Sequence, residues 1–196
     1  MRELVVATRN KGKLREIKEL LADLDFKVIS LDELTGMPEI IEDGKTFKEN
    51  AIKKALTIAR HTRTLTLGED SGLEVAALGN QPGVYSARFS GNHATDPKNN
   101  EKLMKMLRGL SLKKRRARYR CFAALADENG VVGVVSGSCS GLIATQARGK
   151  NGFGYDPLFL IPRYGKTFGE LPSEIKAKIS HRSRALKKVK KILQEY

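Results

Sequence analysis

Two apolar runs flank one helical stripe at the start of this chain, and that arrangement narrows the fold more than any other feature. Glu3-Leu4-Val5-Val6-Ala7-Thr8 reads as a buried strand. Leu14, Ile17, Leu21 and Leu24 then recur at the spacing of one helical face, and Phe26-Lys27-Val28-Ile29 follows as a second strand. A helix that connects two strands directly predicts a β-α-β unit with a parallel pair, and hence an α/β fold.

The remainder extends the same plan. Thr46-Phe47-Lys48-Glu49 has the form of a capping box and opens a helix to about Ala59. Leu65 to Gly68 is a strand that delivers Glu69-Asp70, and Leu73 to Leu78 reads as another short strand before the turn-rich Gly79 to Gly83. Asp96-Pro97 starts a helix carrying Leu103, Met106, Leu107 and Leu110. Arg118 to Ala126 and Val131 to Ile143 are long β-like runs split by the hairpin signal Asp127-Glu128-Asn129-Gly130. Pro157 to Ile161 is a further strand, and Ser180 starts a last helix to about Gln194. No repeat, low-complexity tract or linker interrupts residues 1–196, so a single domain is expected. Two lobes are compatible with it, because the long hairpin has no helix near it in sequence.

Charge and cysteines bound the setting. Lys and Arg number 36 against 22 Asp and Glu, a formal net charge of +14. That excess suits a nucleic-acid surface, the steering of a phosphorylated small molecule, or plain solubility. The densest run, Lys113-Lys114-Arg115-Arg116-Ala117-Arg118-Tyr119-Arg120, reads mainly as a solvated loop running into a strand, with nucleic-acid contact as the lesser option. No run approaches the ~18 apolar residues of a membrane span, and the first strand begins at once, so a cytoplasmic protein is expected. Cys121 and Cys139 lack Cys-x-x-Cys spacing, which predicts two buried thiols and no zinc site.

Glu69 and Asp70 stand together ahead of Ser71-Gly72. Side by side at a strand end, two carboxylates repel unless a proton or a cation neutralises them. The pair therefore reads either as a Mg²⁺ site or as a solvated turn bent at Ser71-Gly72. Two helices also begin with bases, at Asn10-Lys11-Gly12-Lys13-Leu14-Arg15 and at Ser180-His181-Arg182-Ser183-Arg184. Bases at a helix N-terminus cost a few tenths to ~1 kcal/mol each, a conflict that a bound phosphate resolves. Thr8 and Asn10 could cap the first helix or touch that phosphate; Lys13 could equally be an exposed helix lysine, and His181-Arg182 an accidental basic turn. The P-loop pattern fails at Gly149-Lys150, since residue 144 is alanine and 151 asparagine, and Gly152-Phe153-Gly154 fails the dinucleotide pattern at Pro157.

Taken in order, these stretches resemble the inosine triphosphate pyrophosphatase family. The matching segments are residues 8–13, 42–51, 69–75, 82–88 (Pro-Gly-Val-Tyr-Ser-Ala-Arg), 152–157 (Gly-Phe-Gly-Tyr-Asp-Pro) and 179–182 (Ile-Ser-His-Arg). The resemblance implies an elongated mixed β-sheet with flanking helices, forming two lobes around a central nucleotide cleft, usually as a homodimer. It implies hydrolysis of ITP, dITP or XTP to the monophosphate and pyrophosphate, with Mg²⁺ required. By motif, Asp70 is the general base and a metal-linked carboxylate. Thr8, Arg9, Asn10, Lys11, Gly12, Lys13, Ser71 and Lys176 hold the triphosphate, while Phe153, Gly154, Tyr155 and Asp156 form the base pocket with His181 and Arg182. The second metal ligand is Glu42 or Glu39, with Glu42 preferred, and Glu49 goes to the capping box. Many relatives have Asp-Asp where this chain has Glu69-Asp70, which makes Glu69 the replaceable neighbour. A DNA- or RNA-binding role would leave the acid pair and residues 152–157 without a task, so it is not expected.

Overall fold

The computed structural model describes residues 2–196. In chain order its elements are β1 (Arg2–Val6), α1 (Lys11–Leu21), β2 (Phe26–Ser30), α2 (Phe47–Thr62), β3 (Thr66–Val75), α3 (Asp96–Met106), β4 (Arg116–Asp127), β5 (Gly130–Ile143), β6 (Phe159–Ile161), β7 (Lys166–Thr167), α4 (Ser173–Ile179) and α5 (His181–Glu195). They group into two compact units. One takes the chain up to Asp70 with Cys121–Gly137 and His181–Tyr196; the other takes Ser71–Arg120 and Ser138–Ser180.

In the first unit the strands follow the order β2-β1-β3-β4-β5. β1 runs parallel to β2, with Leu4 opposite Val28, and parallel to β3, with Val5 opposite Thr66. The predicted β-α-β opening is therefore present. Helices cover both faces, and alternation along the strands decides which residue meets which helix. Leu4, Val6, Leu67, Cys121, Ala123 and Leu125 pack with Ile17 and Leu21 of α1 and with Ala185, Leu186, Val189 and Leu193 of α5. The hairpin thus finds its helix at the far end of the chain.

Two close approaches set helix positions. α2 presents Ala51, Ala55 and Ala59 to Ala124 and Ala126, small residues that let it lie low. At Gly68 a Cβ would stand 2.2 Å from the Ala51 carbonyl oxygen. At Gly137 in β5 a Cβ would meet the His181 carbonyl at 2.2 Å and the Ala185 amide at 2.5 Å, both backbone atoms of α5. Gly133, earlier on the same strand, faces only the tip of the Ile192 side chain at 2.8 Å.

The second unit carries antiparallel pairs, β5 with β6 and β6 with β7. Its core joins Leu73, Val75, Leu103, Leu107, Ile143, Leu158 and an aromatic group in which Tyr119, Phe159 and Phe168 have ring centres within 4.6–6.2 Å. Arg115 is buried here. Its guanidinium donates to the carbonyls of Leu110 (3.1 Å), Leu107 (2.9 Å) and Ala144 (2.9 Å), so the middle of the basic run is a structural staple rather than a solvated loop. Arg118 and Arg120 pair with Glu74 at 2.6 and 3.5 Å.

The structure also redraws two boundaries. β3 does not stop at Glu69-Asp70 or bend at Ser71-Gly72 but runs unbroken to Val75. α4, whose only apolar residues besides Ala177 are Ile175 and Ile179, was not signalled by periodicity.

Candidate active site

Because β3 continues as a strand, its neighbouring acids point to opposite faces. That alternation, rather than a shared cation, separates Glu69 from Asp70. Both are buried, at 1% and 5% exposure, which removes the solvated turn.

On the α2 face, Asp70 Oδ2 accepts from Asn50 Nδ2 at 3.0 Å. Lys54, one turn further along α2, directs its Nζ at Glu42 Oε1 (2.7 Å), at Asp70 Oδ1 (3.7 Å) and at the Glu69 carbonyl (3.2 Å). The buried Lys54 ammonium thus lies against two carboxylates. Burial raises Asp70 above the usual carboxylate range, Lys54 and Lys13 draw it down, and Glu42 pushes it up again. Thr46 caps α2 by accepting from the Glu49 amide at 3.1 Å, and Glu49 reaches back to the Lys45 amide at 2.7 Å. Glu49 is therefore spent on the helix start, one residue further back than in the usual box.

On the opposite face Glu69 is a hub. Its Oε2 lies 3.0 Å from Lys13 Nζ, and its Oε1 accepts from Arg182 Nη2 and from Cys121 Sγ, each at 3.2 Å. Arg182 also donates to Glu16 through Nη1. Burial depresses the Lys13 ammonium, but Glu69 and Asp70 together outweigh it and hold Lys13 above its ordinary value; against the same burial, Glu69 and Glu16 raise Arg182. Burial first, and Glu69 second, push the Cys121 thiol well up. Glu69 neutralises the buried Arg182 and the partly buried Lys13, so it is the charge at this position that the structure requires. At the start of α1, Asn10 Oδ1 caps the Lys13 amide at 3.0 Å, and Thr8 Oγ1 accepts from the Asn10 amide at 3.2 Å. Arg9 and Lys11 are exposed beside them, with Gly12 partly so.

In the second unit, residues 152–156 fold into a clamped turn. Asp156 Oδ2 accepts from Lys176 Nζ (2.6 Å) and from the Phe153 amide (2.9 Å). The same ammonium sits 4.9 Å from the centre of the Phe153 ring. Gly152 adopts φ +78°, and a Cβ there would meet Asp156 Oδ2 at 1.9 Å. From α3, Asp96 accepts from the Gly154 amide at 2.7 Å and Asn100 donates to the Gly154 carbonyl at 3.0 Å. Tyr155 has its ring in the core and its hydroxyl on the Ser86 carbonyl at 2.8 Å.

A family model described as the Ham1 family matches residues 4–192. The chain belongs to the Ham1 family. A protein of Desulforamulus reducens called dITP/XTP pyrophosphatase is 51% identical over 191 residues, covering 97% of this chain and 95% of its own. One of the same name from Geobacter sulfurreducens is 50% identical over 186 residues, 95% and 94% of the two chains. Among solved structures, a HAM1 protein from Coxiella burnetii superposes with a TM-score of 0.90 at 42% identity, covering all of both chains. The Staphylococcus aureus Ham1 protein gives 0.87 at 38%, covering 99% of each.

Within this Ham1 chain the first unit collects Thr8 to Lys13, Glu42, Asp70, His181 and Arg182, and the second collects Ser71, Phe153 to Asp156 and Lys176. Sequence reasoning missed Lys54, Asn50, Glu16 and Cys121, all of which touch the acid pair or its partners. For Asn50 and Lys54 a signal existed. They stand four apart on the alanine-rich face of α2, where a polar residue has to be buried.

Proposed function

We propose that this Ham1 chain hydrolyses the non-standard purine nucleoside triphosphates dITP, ITP and XTP to the monophosphate and pyrophosphate. The carrying observation is the convergence of Asp70 and Glu42 on one buried ammonium, in a chain half identical over nearly its whole length to a dITP/XTP pyrophosphatase. Mg²⁺ fits the donor set. It takes oxygen ligands, and the two carboxylates already bring their charge to one cation, Lys54. Asp70 and Glu42 would hold it, and when bound it supplies charge neutralisation at the phosphate oxygens. Among the described residues no larger group of His, Cys, Asp and Glu competes for it.

Asp70, made more basic by its burial, takes the proton from the water whose oxygen attacks the α-phosphorus, and the bond to the bridging oxygen of the leaving pyrophosphate breaks. The basic start of α1, with Lys13, binds the phosphates. Hypoxanthine and xanthine offer an N1–H donor and an O6 acceptor, whereas adenine offers the reverse. In the second unit Asp156 accepts from N1–H, Gly154 and Tyr155 shape the turn around it, and Phe153 provides the stacking face. A mispaired adenine costs about 2–4 kcal/mol. The same reading makes the protein a cytoplasmic homodimer, which light scattering at twice the chain mass checks.

The test is one assay with purified protein, Mg²⁺, and ITP, XTP, ATP, GTP and dTTP in parallel. Pyrophosphate release from ITP and XTP is expected, and it disappears in Asp70→Asn with the fold intact. Orthophosphate as the product, equal turnover of ATP, or an active Asp70→Asn would overturn the reading.

A further inference from the structure

We propose that Asn50 is the positioning residue for Asp70, fixing the catalytic carboxylate and tying to it the segment that carries Glu42. The inference rests on the reading of Asp70 and Glu42 given above.

Asn50 is buried, and each end of its amide has a task. Nδ2 donates to Asp70 Oδ2 at 3.0 Å, and Oδ1 accepts from the Gly44 amide at 2.8 Å. The second bond orients the first, because an Asn whose oxygen is claimed by a backbone N–H can present only its NH₂ to the carboxylate. Asp70 is then held through Oδ2, and Oδ1 is the oxygen directed toward Lys54, whose ammonium also meets Glu42. A carboxylate rotates easily about its last torsion. With Asn50 in place that freedom is removed before substrate arrives.

Gly44 lies two residues after Glu42, so the same amide anchors the chain that brings Glu42 in. The fit is close. A Cβ on Gly44 would stand 2.5 Å from Asn50 Oδ1. Beside the anchor, Glu49 accepts from the Lys45 amide and the Thr46 side chain caps the helix through the Glu49 amide, neither bond involving the Asn50 or Asp70 side chain. Lys54 follows Asn50 by one helical turn, so one face of α2 delivers both groups that meet Asp70.

The test uses the full chain and three variants. Asn50→Asp keeps the shape and the acceptor for Gly44 but sets a second carboxyl against Asp70 in place of a neutral donor, so the pair shares a proton and the free base is lost; kcat on ITP should fall about 100-fold while KM stays within about threefold. Asn50→Ala should lose kcat similarly and also bind free Mn²⁺, measured by electron paramagnetic resonance without nucleotide, about tenfold more weakly. Thr46→Ala weakens the same helix start without touching Asp70, and should leave kcat per folded molecule and Mn²⁺ affinity within about twofold. A kcat for Asn50→Asp within about threefold of the parent overturns the positioning role. An unchanged Mn²⁺ affinity in Asn50→Ala overturns the tie to Glu42. Should neither Asn50 variant fold, the parent protein decides: a Gly44 amide protected from hydrogen exchange upholds the tie, and one exchanging like an open loop overturns it. If the parent releases no pyrophosphate from ITP while the Mn²⁺ arm behaves as expected, the substrate reading falls and the Asn50 tie stands.

Discussion

Replacing Glu69 by glutamine removes one negative charge from a largely buried group of four. Lys13 and Arg182 bring two positive charges, and Glu69 and Glu16 bring two negative ones. The new amide could still accept from Arg182 and Cys121 through its oxygen, but its NH₂ would then face the Lys13 ammonium, donor against donor. Breaking one side of a buried pair costs about 3–5 kcal/mol. The Lys13 side chain keeps 15% exposure and can recover some hydration, so the low end applies, about 3 kcal/mol. For a chain of this size, about 2–4 °C per kcal/mol translates that into a melting point lower by roughly 6–12 °C. Glu69→Asp keeps the charge and loses a methylene, and should cost about 1 kcal/mol. Urea titrations of the three proteins, with the slope m unchanged, give the comparison directly. A Glu69→Gln protein within about 1 kcal/mol of the parent, or a Glu69→Asp protein equally damaged, would refute the reasoning.

Arg115→Ala strips the donors from three carbonyls in the second unit and should cost about 3 kcal/mol, at ~1 kcal/mol for each. A thermal melt checks this, KM for ITP should not move, and Arg115→Lys should rescue little because an ammonium cannot reproduce the planar fork. The acid side of the stability curve follows from carboxylates held by donors. Lys190 lowers Asp23, the Ser30 amide lowers Glu33, the Asn129 amide lowers Asp127 and the Thr167 amide lowers Glu170. A folded pKa below the unfolded one contributes stability above the unfolded value and loses it as pH falls through the folded value. Asp70, raised by burial, runs the other way, but it is one group against several. The melting point should stay level to about pH 5 and fall below about pH 4, and a midpoint unchanged at pH 2 would contradict the assignment.

Periodic features were legible in the sequence. The stripe of Leu14, Ile17 and Leu21 gave α1, although Leu24 packs from beyond the helix end, and Thr46 gave the start of α2. Met106 fits the same arithmetic yet is exposed, because α3 ends there and Leu107 takes the inward position. Buried charge was not legible. Lys54, Arg115 and Arg182 have side chains that are almost always solvated, and only partners that folding brings to them make their burial tolerable. The acid pair shows both sides of this. Its importance could be read from two letters, but its geometry depended on whether β3 stopped or continued, and strand continuation puts Glu69 and Asp70 to different work.

Sequence drift has unequal room along β5. At Gly133 an added methyl meets only the tip of Ile192, which a rotamer change can clear. At Gly137 it would meet the backbone of α5, which has no rotamer to change, and the first turn would have to lift, carrying Arg182 away from Glu69 and Glu16. Position 137 is therefore closed to substitution, although it carries no functional group of its own. A saturation library selected for activity should recover small residues at 133 and only glycine at 137.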